Sequence, residues 1–179
     1  HIGGTLDDAI GECYDKVARV VGIPYPGGPS IDKMAHIGNK SYALPLPLND
    51  NSYNFSFSGL KSAVINLSHN EEQRGNELNK EDLAASFQEV VVDIISKKVE
   101  KAIKEKNIKY FITAGEVAAN KGIREKLAQV CEDANIEYSF PEIKYCTDNA
   151  AMIAAAGYFY YINNRVSTIE INAKSNDVL

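Results

Sequence analysis

The residues able to do chemistry fall into four short stretches. Asp8, Glu12 and Asp15 are spaced four and three apart, which sets their carboxylates along one stripe of a helix. Carboxylates that close can accept hydrogen bonds from ribose hydroxyls. The alternative is a solvated ion-pair face, with Lys16 and Arg19 each four residues beyond Glu12 and Asp15. Pro26-Gly27-Gly28-Pro29 presents bare backbone amides directly after that helix, where a ligand can approach without a Cβ in the way. A plain turn explains the same residues. Gly115-Glu116-Val117-Ala118-Ala119-Asn120 lies between a predicted strand and a predicted helix, the crevice in which α/β proteins place ligands. One glycine and no Gly-Lys-Ser/Thr fall short of a phosphate loop, and Asn120 can equally cap the next helix. In Cys146-Thr147-Asp148-Asn149 a carboxylate stands at the start of the last predicted helix, where the dipole and free amides keep it anionic. Asp148 either binds a metal there or serves as a cap.

Other chemistry is thinly represented. His1, His36 and His69 are far apart, with no His-x-x-x-His or His-Glu-x-x-His, so these residues alone assemble no zinc-protease site. Cys13, Cys131 and Cys146 are odd in number and widely spaced, which fits neither a disulfide framework nor a zinc cluster and points to a reducing, cytoplasmic compartment. Nineteen basic against twenty-four acidic residues give a net charge of -5, the wrong sign for a chain that grips nucleic acid unaided.

Helices must carry most of these stretches. Thr5-Leu6-Asp7-Asp8 reads as a hydroxyl cap with a carboxylate three residues on, and Leu6, Ala9, Ile10, Cys13, Val17, Val20 and Val21 recur at helical spacing until Gly22. A short helix is predicted from Ser30 to Ala35. From Ser41 to Phe57 the chain reads as extended, Tyr42 to Pro47 as an edge or irregular strand and Tyr53 to Phe57 with period two. The next helix runs from Ser58 or Gly59 through Leu67, and His69 to Asn79 is predicted as a loop. Asn79 caps a long helix whose apolar stripe holds Leu83, Ala84, Phe87, Val90, Val91, Ile94, Ile95, Ala102 and Ile103, with lysines crowding its end. Strands over Lys109 to Thr113 and Ile136 to Phe140 flank a helix from Lys121 to Ala134. Thr147 is expected to cap a final Ala-rich helix, Asn149 to Ile162. Beyond it the tail is polar, with Val166 to Ile171 able to pair as a strand.

With 179 residues, 45% hydrophobic and 24% charged, the chain is long enough to bury one core and is neither disordered nor collagen-like. No apolar run reaches the ~20 residues of a spanning helix, so no membrane partner is expected. His1 to Thr5 lack a signal-peptide pattern and an initiator methionine, so the chain is expected to be a fragment. Helices interleaved with about four short strands predict an α/β class with a small mixed sheet.

In this order the motifs are specific. Asp7-Asp8-Ala9-Ile10-Gly11-Glu12-Cys13-Tyr14-Asp15-Lys16-Val17-Ala18-Arg19, Tyr25-Pro26-Gly27-Gly28-Pro29, Asn54-Phe55-Ser56-Phe57-Ser58-Gly59-Leu60-Lys61, Ala84-Ala85-Ser86-Phe87-Gln88, Val117-Ala118-Ala119-Asn120 and Cys146-Thr147-Asp148-Asn149-Ala150-Ala151-Met152-Ile153-Ala154 resemble the TsaD family, tRNA threonylcarbamoyladenosine transferases formerly labelled O-sialoglycoprotein endopeptidases. The resemblance runs to about Tyr158 and covers the C-terminal part of the family's usual length. It implies an actin-like, sugar-kinase-like ATPase fold (the ASKHA superfamily), with residues 1–162 forming most of the second of two lobes, a largely helical insertion around 1–40, and 163–179 a polar tail.

The resemblance also implies transfer of the threonylcarbamoyl group from threonylcarbamoyl-adenylate to N6 of the adenosine beside the anticodon in tRNAs reading A-starting codons. Asp15 and Gly28 would contact the adenylate, or an ATP/ADP-type nucleotide, with Asp15 on ribose hydroxyls. Asn120 would be a third contact, Glu12 a further one, and Asp148 the carboxylate ligand of one divalent metal, iron or zinc. The paired metal histidines and a Ser-Gly-Gly phosphate loop of the family lie upstream of these residues, so the chain alone is expected to be inactive. A paralogous partner subunit and a small ATPase subunit are implied as partners beside tRNA. One position departs from the pattern: Glu116 stands where the family has a second glycine, and its charge would hinder a phosphate. A non-catalytic scaffold or dimerisation subunit is therefore the alternative, with a metalloprotease behind it.

Overall fold

The computed structural model describes residues 1–170 and 172. Six helices and a two-stranded sheet follow in the order α1 (Ile10–Val20), α2 (Gly27–Ala35), α3 (Ser58–Gln73), α4 (Lys80–Lys106), β1 (Tyr110–Ile112), α5 (Lys121–Asp133), β2 (Glu137–Ser139) and α6 (Ala150–Ile162), with single 3-10 turns at Glu116–Ala119 and Ile143–Tyr145. The 27-residue α4 is the axis. Asn79 caps it by accepting the Asp82 amide, and Asn107, with φ 51°, closes it in the left-handed region. Helices α2 and α5 lean on α4, and α1 packs on α2 and α3.

The core follows the helical stripes. Cys13, Tyr14 and Val17 of α1, Ile31 of α2, Leu60 and Val64 of α3, and Leu83, Phe87, Val91 and Ile94 of α4 form one buried cluster. The Tyr14 and Phe87 rings meet edge to face, centroids 5.0 Å apart. Ile103, Val130 and Cys131 make a smaller cluster, against which Phe111 and Ile136 pack. Residues 1–40 thus hold α1 and α2, which share the main core.

Several local expectations give way to long-range partners. The sheet is parallel and two-stranded, Tyr110 opposite Glu137 and Ile112 opposite Ser139, rather than a mixed sheet of about four strands. Thr5 does not cap α1: its Oγ1 donates to the Asp8 carbonyl, and the helix begins at Ile10 after Ala9, which makes no side-chain cap. The reason is that Gly4 to Leu6 run beside Asn54 and Phe55. Phe55 donates its amide to Gly4 at 2.9 Å and receives that of Leu6 at 2.8 Å, a single bridge that is the extent of pairing for the 53–57 segment. Asp7 is drawn away to α3, where it accepts the Phe57 and Ser58 amides and both Ser56 and Ser58 hydroxyls. Tyr42 to Pro47 form no strand. Helix α3 runs to Gln73, past the predicted loop start at His69, and α2 begins at Gly27 instead of Ser30. At the last helix Asn149, not Thr147, accepts the first-turn amide, from Met152. Residues 166–170 form no strand, and Ile171 lies outside the described residues.

Lys98 of α4, 5% exposed, donates to Asp50 and to the Ser52 carbonyl, which ties the irregular 41–57 segment to the axis. No helix among the described residues is long and apolar enough to cross a membrane.

The Asp7 carboxyl is opposed by desolvation, yet its two serine and two amide donors outweigh that and hold it well below the usual carboxylate range. Hydrogen bonds from Ser52 and Lys98 lower Asp50 to about 2. Depressed carboxyls contribute stability above their unfolded pKa near ~4 and lose it as pH falls through their folded values. Thermal melts should therefore show midpoints falling between pH 4 and 2. In Asp7→Ala the neutral-pH stability should drop by about 1 kcal/mol, as for loss of a helix cap, with a shallower acid decline.

Candidate functional site: a cleft between α1, α2 and the 3-10 turn

A cleft of about 940 Å³ opens between α1, α2 and the turn at Glu116–Ala119. Asp15, Glu12, Gly28 and Asn120 all line it, though they come from three separate elements. The i, i+3 spacing of α1 turns Glu12 and Asp15 to the same side. Glu12 is also paired: Lys16 bridges it at 2.7 Å and Asp8 at 2.7 Å, the ion-pair alternative read from the spacing. Those bonds raise the Lys16 pKa. Asp15 does not pair with Arg19. Its Oδ1 accepts the Gly27 amide at 2.7 Å, which starts α2, and its other oxygen accepts no hydrogen bond among the described residues.

The two glycines differ in purpose. A Cβ on Gly27 would fall 2.8 Å from the Ala18 Cβ and 2.8 Å from the Tyr14 carbonyl oxygen, so glycine is what allows α2 to start against α1. A Cβ on Gly28 would meet nothing within 4 Å, so packing does not require glycine there. Its missing side chain leaves part of the cleft open.

Behind the cleft lies a polar cluster inside an apolar core. Asn120 caps α5 by accepting the Ile123 amide at 2.9 Å, and its Nδ2 donates to Gln88 Oε1 at 3.1 Å and to the Tyr14 hydroxyl at 3.3 Å. Tyr14 donates to Gln88 Oε1 at 2.7 Å, and burial pushes its phenol far up, so it stays neutral. Asp32 of α2 accepts the Lys121 amide at 3.0 Å and the Gly122 amide at 3.4 Å. Asp32, Gln88 and Tyr14 escaped the sequence reading. With α2 starting at Gly27, Asp32 stands one turn from Gly28 on the same face, the signal that could have found it. His36 lies at the end of α2 with Nε2 3.9 Å from Asp32 and also lines the cleft.

Glu116 is exposed on the cleft wall. Asp148 is not part of it: the residue is exposed before α6. Among the described residues no three His, Cys, Asp or Glu side chains are arranged to hold a metal ion, so Asp148 alone does not fit one. Cys13 is buried, and burial pushes its thiol up to about 12, far from a nucleophile's range. Among the described residues Tyr14 is the cleft's one hydroxyl or thiol side chain, and it is committed to Gln88. The cleft is therefore equipped to bind a polar ligand through carboxylates and nearby cations, and carries no nucleophile paired with a base.

Solved structures share this fold. The HypF of T. kodakarensis superposes with a TM-score of 0.62 at 17% identity over 89% of this chain and 21% of that one. A full-length HypF, described in its phosphate- and nucleotide-bound form, gives 0.58 at 17% over 87% and 20%. The fold is α/β. The family described as TsaD, tRNA N6-adenosine threonylcarbamoyltransferase, matches residues 1–155, and the chain belongs to it. The transferase of that name from Staphylococcus haemolyticus is 53% identical over 176 residues, 98% of this chain and 52% of the relative. That of Mycoplasma capricolum is 56% identical over 159 residues, 88% of this chain and 50% of the relative. The chain thus spans about half the length of the relatives it matches.

Exchange of the two glycines for alanine should separate fold from cleft. In urea denaturation Gly27→Ala is expected to lose about 1–3 kcal/mol through overpacking. Gly28→Ala should keep or gain up to about 1 kcal/mol, since alanine is the better helix residue and has room.

Proposed function

We propose that this chain is the adenylate-binding part of a tRNA N6-adenosine threonylcarbamoyltransferase, the second lobe of an actin-like, sugar-kinase-like ATPase fold spanning residues 1–162. The observation that carries the proposal is the convergence of Asp15, Gly28 and Asn120, up to 105 residues apart, on one cleft (120 − 15 = 105). Family membership supports it, as does the nucleotide bound to a HypF of like fold.

In this reading the unpaired Asp15 oxygen receives ribose hydroxyls of the threonylcarbamoyl-adenylate. The open space over Gly28 takes the nucleoside, and Glu12 stands one turn away. The N6 amine of the tRNA adenosine attacks the carbamoyl carbon, the bond from that carbon to the phosphate oxygen breaks, AMP leaves, and the amine's proton passes to solvent. The mixed anhydride is already activated, so the residues of this chain mainly orient donor and acceptor. Asp148 would be one ligand of an iron or zinc ion only alongside ligands from elsewhere. The tRNA, the paralogous subunit and the small ATPase subunit would supply or meet the basic surface that a net charge of -5 lacks.

The test is threonylcarbamoylation of tRNA by the full-length protein reconstituted with its partner subunits. Asp15→Asn keeps an acceptor for the Gly27 amide but loses the charge, and Gly28→Leu fills the open space. Each should lower the rate about tenfold or more while leaving the melting temperature near wild type. Wild-type rates from both would overturn the reading.

A non-catalytic scaffold is the second reading, and Glu116 is the observation in its favour, since a carboxylate on the cleft wall opposes an anionic ligand. If the cleft binds nucleotide, Glu116→Gly should tighten ADP binding by about two- to tenfold in calorimetric titration at low salt, an effect that fades as salt screens the charge. A chain that binds no ADP with either residue supports the scaffold.

A further inference from the structure

Gln88 lies on α4, 6% exposed and behind the cleft wall, and no part of the proposed chemistry uses it. Its amide is fully engaged. Oε1 accepts from the Tyr14 hydroxyl and from Asn120 Nδ2, and Nε2 donates to Asp32 Oδ1 and to Asn120 Oδ1. An amide has two donors and two acceptor lone pairs, and all four are used. One side chain therefore joins α1, α2, α4 and the start of α5.

The direction of every bond in this cluster follows from its two ends. Both Asp32 oxygens accept backbone amides, Oδ2 that of Lys121 and Oδ1 that of Gly122, so the group of Gln88 that faces Oδ1 must be the NH₂. Asn120 Oδ1 accepts the Ile123 amide, so its NH₂ must face Tyr14 and Gln88 Oε1. Tyr14 then has one arrangement left, accepting from Asn120 and donating to Gln88. The cluster is polarised from the Asp32 charge through Gln88 to Asn120. Gly122 completes it: a Cβ there would lie 2.6 Å from Gln88 Nε2, so a side chain at 122 would displace the Gln88 amide from its place.

We propose that Gln88 is the positioning residue of the cleft, holding Asp32 and Asn120, and through them the first turn of α5, in the arrangement that receives the ligand. The inference rests on the nucleotide reading of the cleft and names the residue that fixes the Asn120 wall against which that reading places its ligand.

The test is a double-mutant cycle in the full-length protein with two readouts: ADP affinity, and hydrogen exchange at the amides of Lys121, Gly122 and Ile123. Gln88→Glu is isosteric but faces Asp32 and Asn120 Oδ1 with an acceptor. It should weaken ADP binding about tenfold and speed exchange at residues 121–123 about tenfold. Asp32→Asn should also loosen these amides, because its NH₂ then opposes either Gln88 Nε2 or the Lys121 amide. The double variant restores a donor–acceptor pair between positions 32 and 88 but not the bonds to Asn120 Oδ1 and from Gly122, so exchange at Lys121 should return part of the way to wild type and ADP affinity should exceed that of Gln88→Glu alone. Rescue of this kind is not expected if Gln88 only fills space, since both exchanges conserve volume.

Additive effects in the cycle, or wild-type ADP affinity in Gln88→Glu, would overturn the proposal. If Gln88→Glu does not fold, Gln88→Met is the second variant: it should weaken ADP binding without rescue by Asp32→Asn, and wild-type affinity in it would equally overturn the proposal. If the wild-type protein binds no ADP, the nucleotide reading fails, and the exchange cycle still decides whether Gln88 positions α5.

Discussion

Gly27 touches α1 so closely that a methyl group would collide with Ala18 and with the Tyr14 carbonyl, and the carboxylate that receives its amide is Asp15. That contact fixes where α2 begins, and the rest of the cleft is built outward from it. One residue later, Gly28 already faces open space. One turn further, Asp32 reaches the first amides of α5. Had α2 begun at Ser30, Gly28 would lie outside the helix and would not share a face with Asp32. A single close approach of two helices thus sets the floor, one wall and the attachment of a third helix.

The polar cluster behind that wall is costly to keep. Tyr14 and Gln88 are buried among Phe87, Val91 and Leu83, where an unpaired polar group costs about 1–3 kcal/mol. The cost is offset only because each group finds a partner, and because Asp32 carries a charge whose hydrogen bonds are stronger than neutral ones. Buried networks of this kind are rigid when complete and fragile when one member is lost. Rigidity behind a binding cleft is useful, since a preorganised wall does not have to be ordered again when a ligand arrives.

What could be read from sequence was what local forces decide. The apolar stripe of α4, its Asn79 cap, the Asn120 cap of α5 and the βαβ order of β1, α5 and β2 all come from neighbours a few residues apart. Thr5 and Thr147 misled because a hydroxyl at a predicted helix start is only an opportunity. Leu6 was already bonded to Phe55, and Asn149 stood closer to the first turn of α6. Asp7 is the sharper case: its carboxylate caps a helix fifty residues away, which no window of sequence contains (57 − 7 = 50). The candidate site divides the same way. Asp15, Gly28 and Asn120 came from short motifs, whereas Asp32 and Gln88 act across 56 positions and carry no local mark (88 − 32 = 56).

The hydrogen-bond inventory also constrains how an adenylate would be held. The start of α5 offers no free amide to an anion, because Lys121 and Gly122 donate to Asp32 and Ile123 donates to Asn120. The helix-terminus mode of phosphate binding is therefore closed at α5 by the protein's own carboxylate. The Asn120 side chain is likewise saturated by Gln88, Tyr14 and Ile123. Among the described residues the cleft leaves available the second oxygen of Asp15, the Gly28 amide and the space over it, and Arg19 and Lys33, which make no ion pair. A ligand matching that set has hydroxyls for Asp15, a flat body for the space beside Gly28, and a negative charge for the two cations. An adenylate has all three, and in the proposed reading its phosphate would be met chiefly by flexible cationic side chains, with the Gly28 amide beside them, instead of by a rigid ring of amides. In the proposed reading such side chains would follow the phosphate as its charge changes when the acyl bond breaks, whereas a fixed amide cradle would hold the product as firmly as the donor.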